Sequence, residues 1–175
     1  MLNFDNEAMA FASFNAFINR YLEGFFCKDN TPTIQEYLAL FAHLIIYHDP
    51  ELFNHLQDLN FTPELYAIPW FLTMFTHVLP LYKIVHIWDT LILHDKSFPL
   101  FIGFAILKQL RGQLVGRPFN DCILIFSPGD LPEINIEQFI KNSKLYYQQT
   151  PSSLTQRNMV SGNESSVAPF RLGLT

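Results

Sequence analysis

The tightest grouping of potential metal ligands in this chain is His43, His48, Asp49 and His55. Neutral imidazoles with a carboxylate are the usual zinc set. Ligands that share a helix face stand three or four residues apart, whereas His43 and His48 are five apart and no His-Glu-x-x-His occurs. Helix-end or partly exposed histidines, with no metal, are the expected outcome. Nucleophilic chemistry has no better footing. Ser13, Ser97 and Ser127 lie in no Gly-x-Ser-x-Gly elbow, and Cys27 has no cysteine-hydrolase context. The seven glycines are dispersed and form neither a phosphate loop nor a dinucleotide fingerprint. No catalytic residue and no cofactor is assigned.

What stands out is the run from Tyr66 to His77, Tyr-Ala-Ile-Pro-Trp-Phe-Leu-Thr-Met-Phe-Thr-His, followed by Leu79-Pro80 and then His86-Ile87-Trp88-Asp89. Physically this is two packed helices meeting across a proline corner. Trp70 and Trp88 supply large anchors, and Asp89 is placed to accept from a nearby indole or backbone donor. On chemistry alone, core packing is the leading account of these residues.

The elements that must position this corner are helical. Phe11, Phe14, Phe17, Ile18, Tyr21, Leu22 and Phe25 recur at helical spacing between Asn6 and Phe26 and predict a first helix. Thr31-Pro32 predicts the start of a second, with Thr31 as N-cap, running to about Tyr47 with Ile34, Tyr37, Leu38, Phe41, Leu44 and Ile45 inward. Asp49-Pro50-Glu51 opens a short third helix and Thr62-Pro63-Glu64 a fourth. Pro69 should kink or restart that fourth helix, leaving Trp70 to His77 as its continuation. Further helices are expected from Leu81 to Leu93, from Phe98 to Gly116 as an amphipathic element, over Cys122–Phe126, and from Ile134 to Tyr147 after a Ser127–Asp130 turn. From Pro151 onward the composition predicts a disordered tail. The expected architecture is all-α, with one domain over 1–150 and a tail over 151–175.

Composition narrows the function classes. The chain has 175 residues, enough for one domain with a real core. Apolar residues make up 49% of it and charged residues 15%, below the roughly 25% of typical soluble domains, so some apolar surface is expected to want a partner. The net charge of -5 and a pI near 5.6 lack the basic stripe of a nucleic-acid binder. Two distant cysteines, Cys27 and Cys122, suggest neither a zinc knuckle nor a disulfide scaffold and fit a reducing compartment. The apolar stretch Ala67–Leu93 is broken by Pro69, Pro80, His77, Lys83, His86 and Asp89, so no transmembrane segment is expected.

Trp-Phe-Leu-Thr-Met-Phe at 70–75, the Leu79-Pro80 that follows and Ile87-Trp88-Asp89 one helix later resemble the C-terminal signatures of TBC domains, which activate Rab GTPases. The resemblance is closest to the TBC kinase-like family. Asn6–Ala10, Ile34–Leu38, His48–Leu52 and Leu131–Ile134 fit it as well, so the likeness covers about Leu2 to Pro151. It implies an all-helical TBC-type fold, a Rab-family small GTPase as partner, and a cytoplasmic protein at the periphery of endomembranes, in membrane trafficking. Trp70, Phe71, Thr73, Phe75, Pro80, Trp88 and Asp89 are the signature residues, expected to support the fold or the GTPase-facing side. TBC domains also resemble one another in two N-terminal motifs, an arginine finger in Ile-x-x-Asp-x-x-Arg and a glutamine finger in Tyr-x-Gln. Neither motif is expected anywhere in this chain, and His86 stands where most of the family has arginine. The implied chain is therefore the C-terminal part of such a domain, more a binder than a catalyst and with apolar surface left uncovered. A non-catalytic module that docks an intramolecular or scaffold partner is the alternative.

Overall fold

A computed structural model describes residues 6–126 and 135–155. Its elements are α1 (Glu7–Tyr21), α2 (Thr31–His48), α3 (Pro50–Asp58), α4 (Pro63–Leu72), α5 (Leu81–Ile92), α6 (Phe98–Leu114), α7 (Phe119–Ile125), α8 (Ile136–Gln149) and a 3₁₀ turn at Ser152–Leu154. No strand occurs among the described residues, as the sequence predicts.

The helix starts follow from local chemistry. Asn6 caps α1 by accepting from the backbone of Ala8, at 2.9 Å, and Asp49 caps α3 by accepting from Leu52 N, at 3.1 Å. Proline sits at the first positions of α2, α3, α4 and α6, where its missing N–H costs nothing. Thr31 is the first residue of α2 and not its cap. That position belongs to Asn30, whose side chain instead donates to the carbonyl of Phe25. The first helix stops at Tyr21, short of the expected Phe26. The chain turns through Gly24, at φ +81°, where an added Cβ would come within 2.9 Å of the Thr33 hydroxyl.

Around α6 the other elements are arranged as a shell. α8, α2, α4 and α7 all pack on it, and every residue from Phe98 to Leu107 is buried. The expected amphipathic character survives only in the last turns, where Lys108, Gln109 and Arg111 reach the surface. Gly103 lets two rings come close. A Cβ there would lie 3.1 Å from Phe71 and 3.2 Å from Phe41, so α4 and α2 converge on α6 at that level. The α2 stripe turns inward as predicted, with Tyr37, Leu38, Phe41, Leu44 and Ile45 buried and Ile34 half-buried. Each such fully buried large side chain is worth roughly 1.5–3 kcal/mol over its exposed form.

An ionic clasp ties the α2–α3 junction to the exposed end of α6. Asp49 is only 5% exposed and accepts from Lys108 Nζ at 2.6 Å and from Arg111 Nε at 2.8 Å, while Arg111 also pairs with Glu51. Burial alone would raise the Asp49 carboxyl, but the bonds from Lys108, Leu52 N and Arg111 hold it net below the usual carboxylate range. α8 is pinned by Tyr147 Oη donating to Asp95 at 2.5 Å and by His48 Nε2 against Thr150 Oγ1 at 2.7 Å. The tail expected from Pro151 thus opens with an ordered turn in which Thr155 is buried. The Ser127–Asp130 turn, the Leu131–Ile134 block and the rest of the tail lie outside the described residues.

Candidate interaction site

The signature residues meet at the corner between α4 and α5. Pro69 does not restart the helix but lies inside it, at the start of its last turn. α4 closes at Leu72 and does not continue to His77. Phe75 N donates to Trp70 O at 2.7 Å and Met74 N to Phe71 O at 3.2 Å, the paired bonds of a Schellman terminus. Such a terminus needs a left-handed residue, usually glycine. Here Met74 (φ 45°) takes that conformation and Phe75 (φ 69°) shares it, at a cost of about 1–3 kcal/mol each that surrounding packing must offset.

That packing is visible. Trp70, Phe71, Met74 and Phe75 are all buried, and Thr73 Oγ1 donates to Pro69 O at 2.7 Å while accepting from His77 N at 3.3 Å. Across the corner, Trp88 Nε1 donates to the carbonyl of Met74 at 3.1 Å, and its ring lies 4.9 Å from that of Phe17. Pro80 begins α5, its carbonyl accepting from Lys83 N and Ile84 N. Six of the seven signature residues therefore build one unit. Asp89 stands apart: it is exposed and has no hydrogen-bond partner among the described residues, so the Trp88 indole expected beside it is given to Met74 instead. His86 is exposed on the same helix.

The other candidates are placed apart from this corner. His48 stacks on Phe104, with ring centroids 5.2 Å apart, His43 is exposed, and Asp49 is committed to cations, so the histidine–carboxylate set does not converge. Arg20 donates to the carbonyl of His94 at 2.6 Å, Arg111 is held by Asp49, Arg117 lies 3.9 Å from Asp121, and Arg157 is outside the described residues. A bare Tyr-x-Gln spacing does occur at Tyr146–Gln149, but it closes α8, where Tyr147 bonds Asp95 and Tyr146 packs on His48 and Phe104. Sequence reasoning did not foresee the Met74 carbonyl as the partner of Trp88, because backbone acceptors have no residue-type signal. It also missed the Asp49–Lys108–Arg111 clasp, whose members are about sixty residues apart.

Comparison with known proteins decides the family. The family model for the Rab-GTPase-TBC domain matches residues 1–115. The chain belongs to the TBC family. It is 54% identical over 97% of its length to the TBC domain-containing protein kinase-like protein of Gallus gallus and 58% identical over 89% to that of Homo sapiens. It spans 20% and 17% of those two relatives. The Ypt/Rab-GAP domain of Gyp1p superposes with a TM-score of 0.62 at 18% identity, over 72% of this chain and 41% of that one, and shows the same all-α fold. Within this TBC chain the signature corner lies inside the matched region, whereas α8 lies beyond it and still packs on α6.

Proposed function

We propose that this TBC chain takes part in recognising a Rab-family small GTPase and does not itself supply the groups that accelerate GTP hydrolysis. Family membership carries the first half of the reading, over residues 1–115. The second half rests on the arginines. No Ile-x-x-Asp-x-x-Arg occurs in the sequence, and Arg20, Arg111 and Arg117 each have a partner within the fold. An arginine finger is worth about 10³–10⁵ in rate, because it offsets charge developing on the transferred phosphoryl group. Trp70, Phe71, Thr73, Phe75, Pro80 and Trp88 act here as the support of a surface to which exposed Asp89 and His86 belong. The protein works in the cytoplasm, at the periphery of endomembranes where Rab proteins act.

Single-turnover GTP hydrolysis by a panel of Rab proteins, with and without the chain, tests this reading. The expected result is retention of one or more GTP-loaded Rab proteins on the immobilised chain with the hydrolysis rate unchanged. Acceleration would overturn the absence of catalytic groups. Absence of binding to any Rab would leave the second reading, a scaffold module, which the exposed apolar residues of α1 and α5 favour.

A further inference from the structure

Side chains of two other helices meet at the C-terminal end of α5. Tyr21 Oη of α1 donates to Leu91 O and the Arg20 guanidinium to His94 O, both at 2.6 Å, while His94 Nδ1 donates to Thr90 O at 2.7 Å. Side chains thus serve carbonyls that the end of a helix leaves without backbone partners. α8 brings a further contact. The ring of Tyr147 stands edge-on to Phe98, Phe101 and His94, with centroids 5.5, 5.2 and 5.6 Å away. Its hydroxyl donates to Asp95 Oδ2 at 2.5 Å, and Asp95 Oδ1 accepts from the backbone N–H and the hydroxyl of Ser97, at 2.8 and 2.6 Å. One carboxylate therefore joins α8 to the turn over 93–97 that leads from α5 into α6.

This bond is separable from the packing around it. A phenylalanine ring would meet Phe98, Phe101 and His94 as a tyrosine ring does, and Asp95 would hold Ser97 without α8. The hydroxyl of Tyr147 serves only the tie between α8 and the turn. α8 lies beyond residues 1–115, so the tie is no part of the signature corner, but it acts on the same helix. Near its middle α5 is fastened by the Trp88 indole on the Met74 carbonyl. One attachment sets where a helix sits, and a second at a distance sets its direction. The twelve residues of α5 extend about 18 Å, so its direction decides where exposed His86 and Asp89 stand. We propose that Tyr147 is a positioning residue of the Rab-facing surface: by tying α8 to Asp95 it fixes the 93–97 turn, and with it the direction in which α5 presents His86 and Asp89. This rests on the reading of that surface as Rab-facing, whereas the tie itself is measurable on the chain alone.

The test compares Tyr147→Phe with Thr150→Val in the full 175-residue chain. The second variant loosens the same end of α8 by removing the hydroxyl that bonds His48 and Tyr146 O, and leaves the turn untouched. Hydrogen exchange over 90–97 should quicken at least about fivefold in Tyr147→Phe, and by a larger factor than exchange over 101–107, which registers any loss of global stability. In Thr150→Val the two stretches should change by the same factor. A GTP-loaded Rab retained by the unaltered chain should bind Tyr147→Phe at least about threefold more weakly and Thr150→Val as before. In an Asp95→Ala background, Tyr147→Phe should change neither quantity further. Equal factors over 90–97 and 101–107 in Tyr147→Phe overturn the tie. Quickened exchange with undiminished Rab affinity overturns the positioning role, and so does an equal loss of affinity in Thr150→Val. Should the unaltered chain retain no Rab, the reading of the surface fails before any substitution is made, and the positioning role falls with it whatever the exchange shows.

Discussion

Trp88 combines an apolar ring seated on Phe17 with an N–H that satisfies a carbonyl in strained backbone. Trp88→Phe keeps much of the ring contact and removes the donor, so the Met74 carbonyl loses its partner. A destabilisation of about 1–2 kcal/mol is expected in urea titration, with the m-value unchanged. His48 offers a pH test. Burial, and then the charge of Lys108, lower its pKa below the ordinary 6.5, so the folded state holds the neutral imidazole. The unfolded chain then binds the extra proton, and this contribution is complete above about pH 6.5 and lost as pH falls through the folded-state value. Tm should therefore drop more steeply between about pH 7 and pH 5 in the natural chain than in His48→Gln, measured by calorimetry on both. Asp49, Glu51, Lys108 and Arg111 titrate or carry charge nearby but are common to both proteins.

Helix existence was legible in the sequence because apolar residues keep a 3.6-residue period and because proline follows a cap at so many starts. Helix ends were less so. Tyr21 and Leu72 are last residues for reasons that reside in backbone geometry, a glycine turn in one case and a Schellman bond pair in the other. The signature corner was recognisable from its residue types, but not which atoms hold it, since Trp88 serves a backbone carbonyl and Asp89 is exposed with no hydrogen-bond partner among the described residues. Phe11 and Phe14 keep the helical period and yet stay exposed, because periodicity reports that a face is apolar, not that something lies against it. α3 ends by the same pair of bonds as α4, with Asn60 (φ 55°) in the left-handed position, Phe61 N donating to Leu56 O and Asn60 N to Gln57 O. Asparagine tolerates that conformation and β-branched residues do not. Asn60→Val should cost about 1–2 kcal/mol and Asn60→Gly a few tenths at most, read from thermal unfolding of the two variants.

At the scale of the molecule, the apolar load divides into what is enclosed and what is not. α2, α4, α7 and α8 close around α6, whereas Phe11 and Phe14 in the N-terminal half of α1 stay exposed. The low share of charged residues anticipated uncovered apolar surface without locating it, because composition has no address. The enclosure of α6 has a kinetic counterpart. Amide hydrogens at the rim of a fold trade with solvent through small local openings, but the peptide groups of Phe101–Leu107 have side chains of other helices on every side. No partial fraying brings them to water. Their exchange into D₂O should be the slowest in the chain and should share one opening free energy equal to that of global unfolding, while the amides of Phe11–Phe14 exchange orders of magnitude faster. α6 is thus the clock by which the lifetime of the whole folded state can be read, one residue at a time.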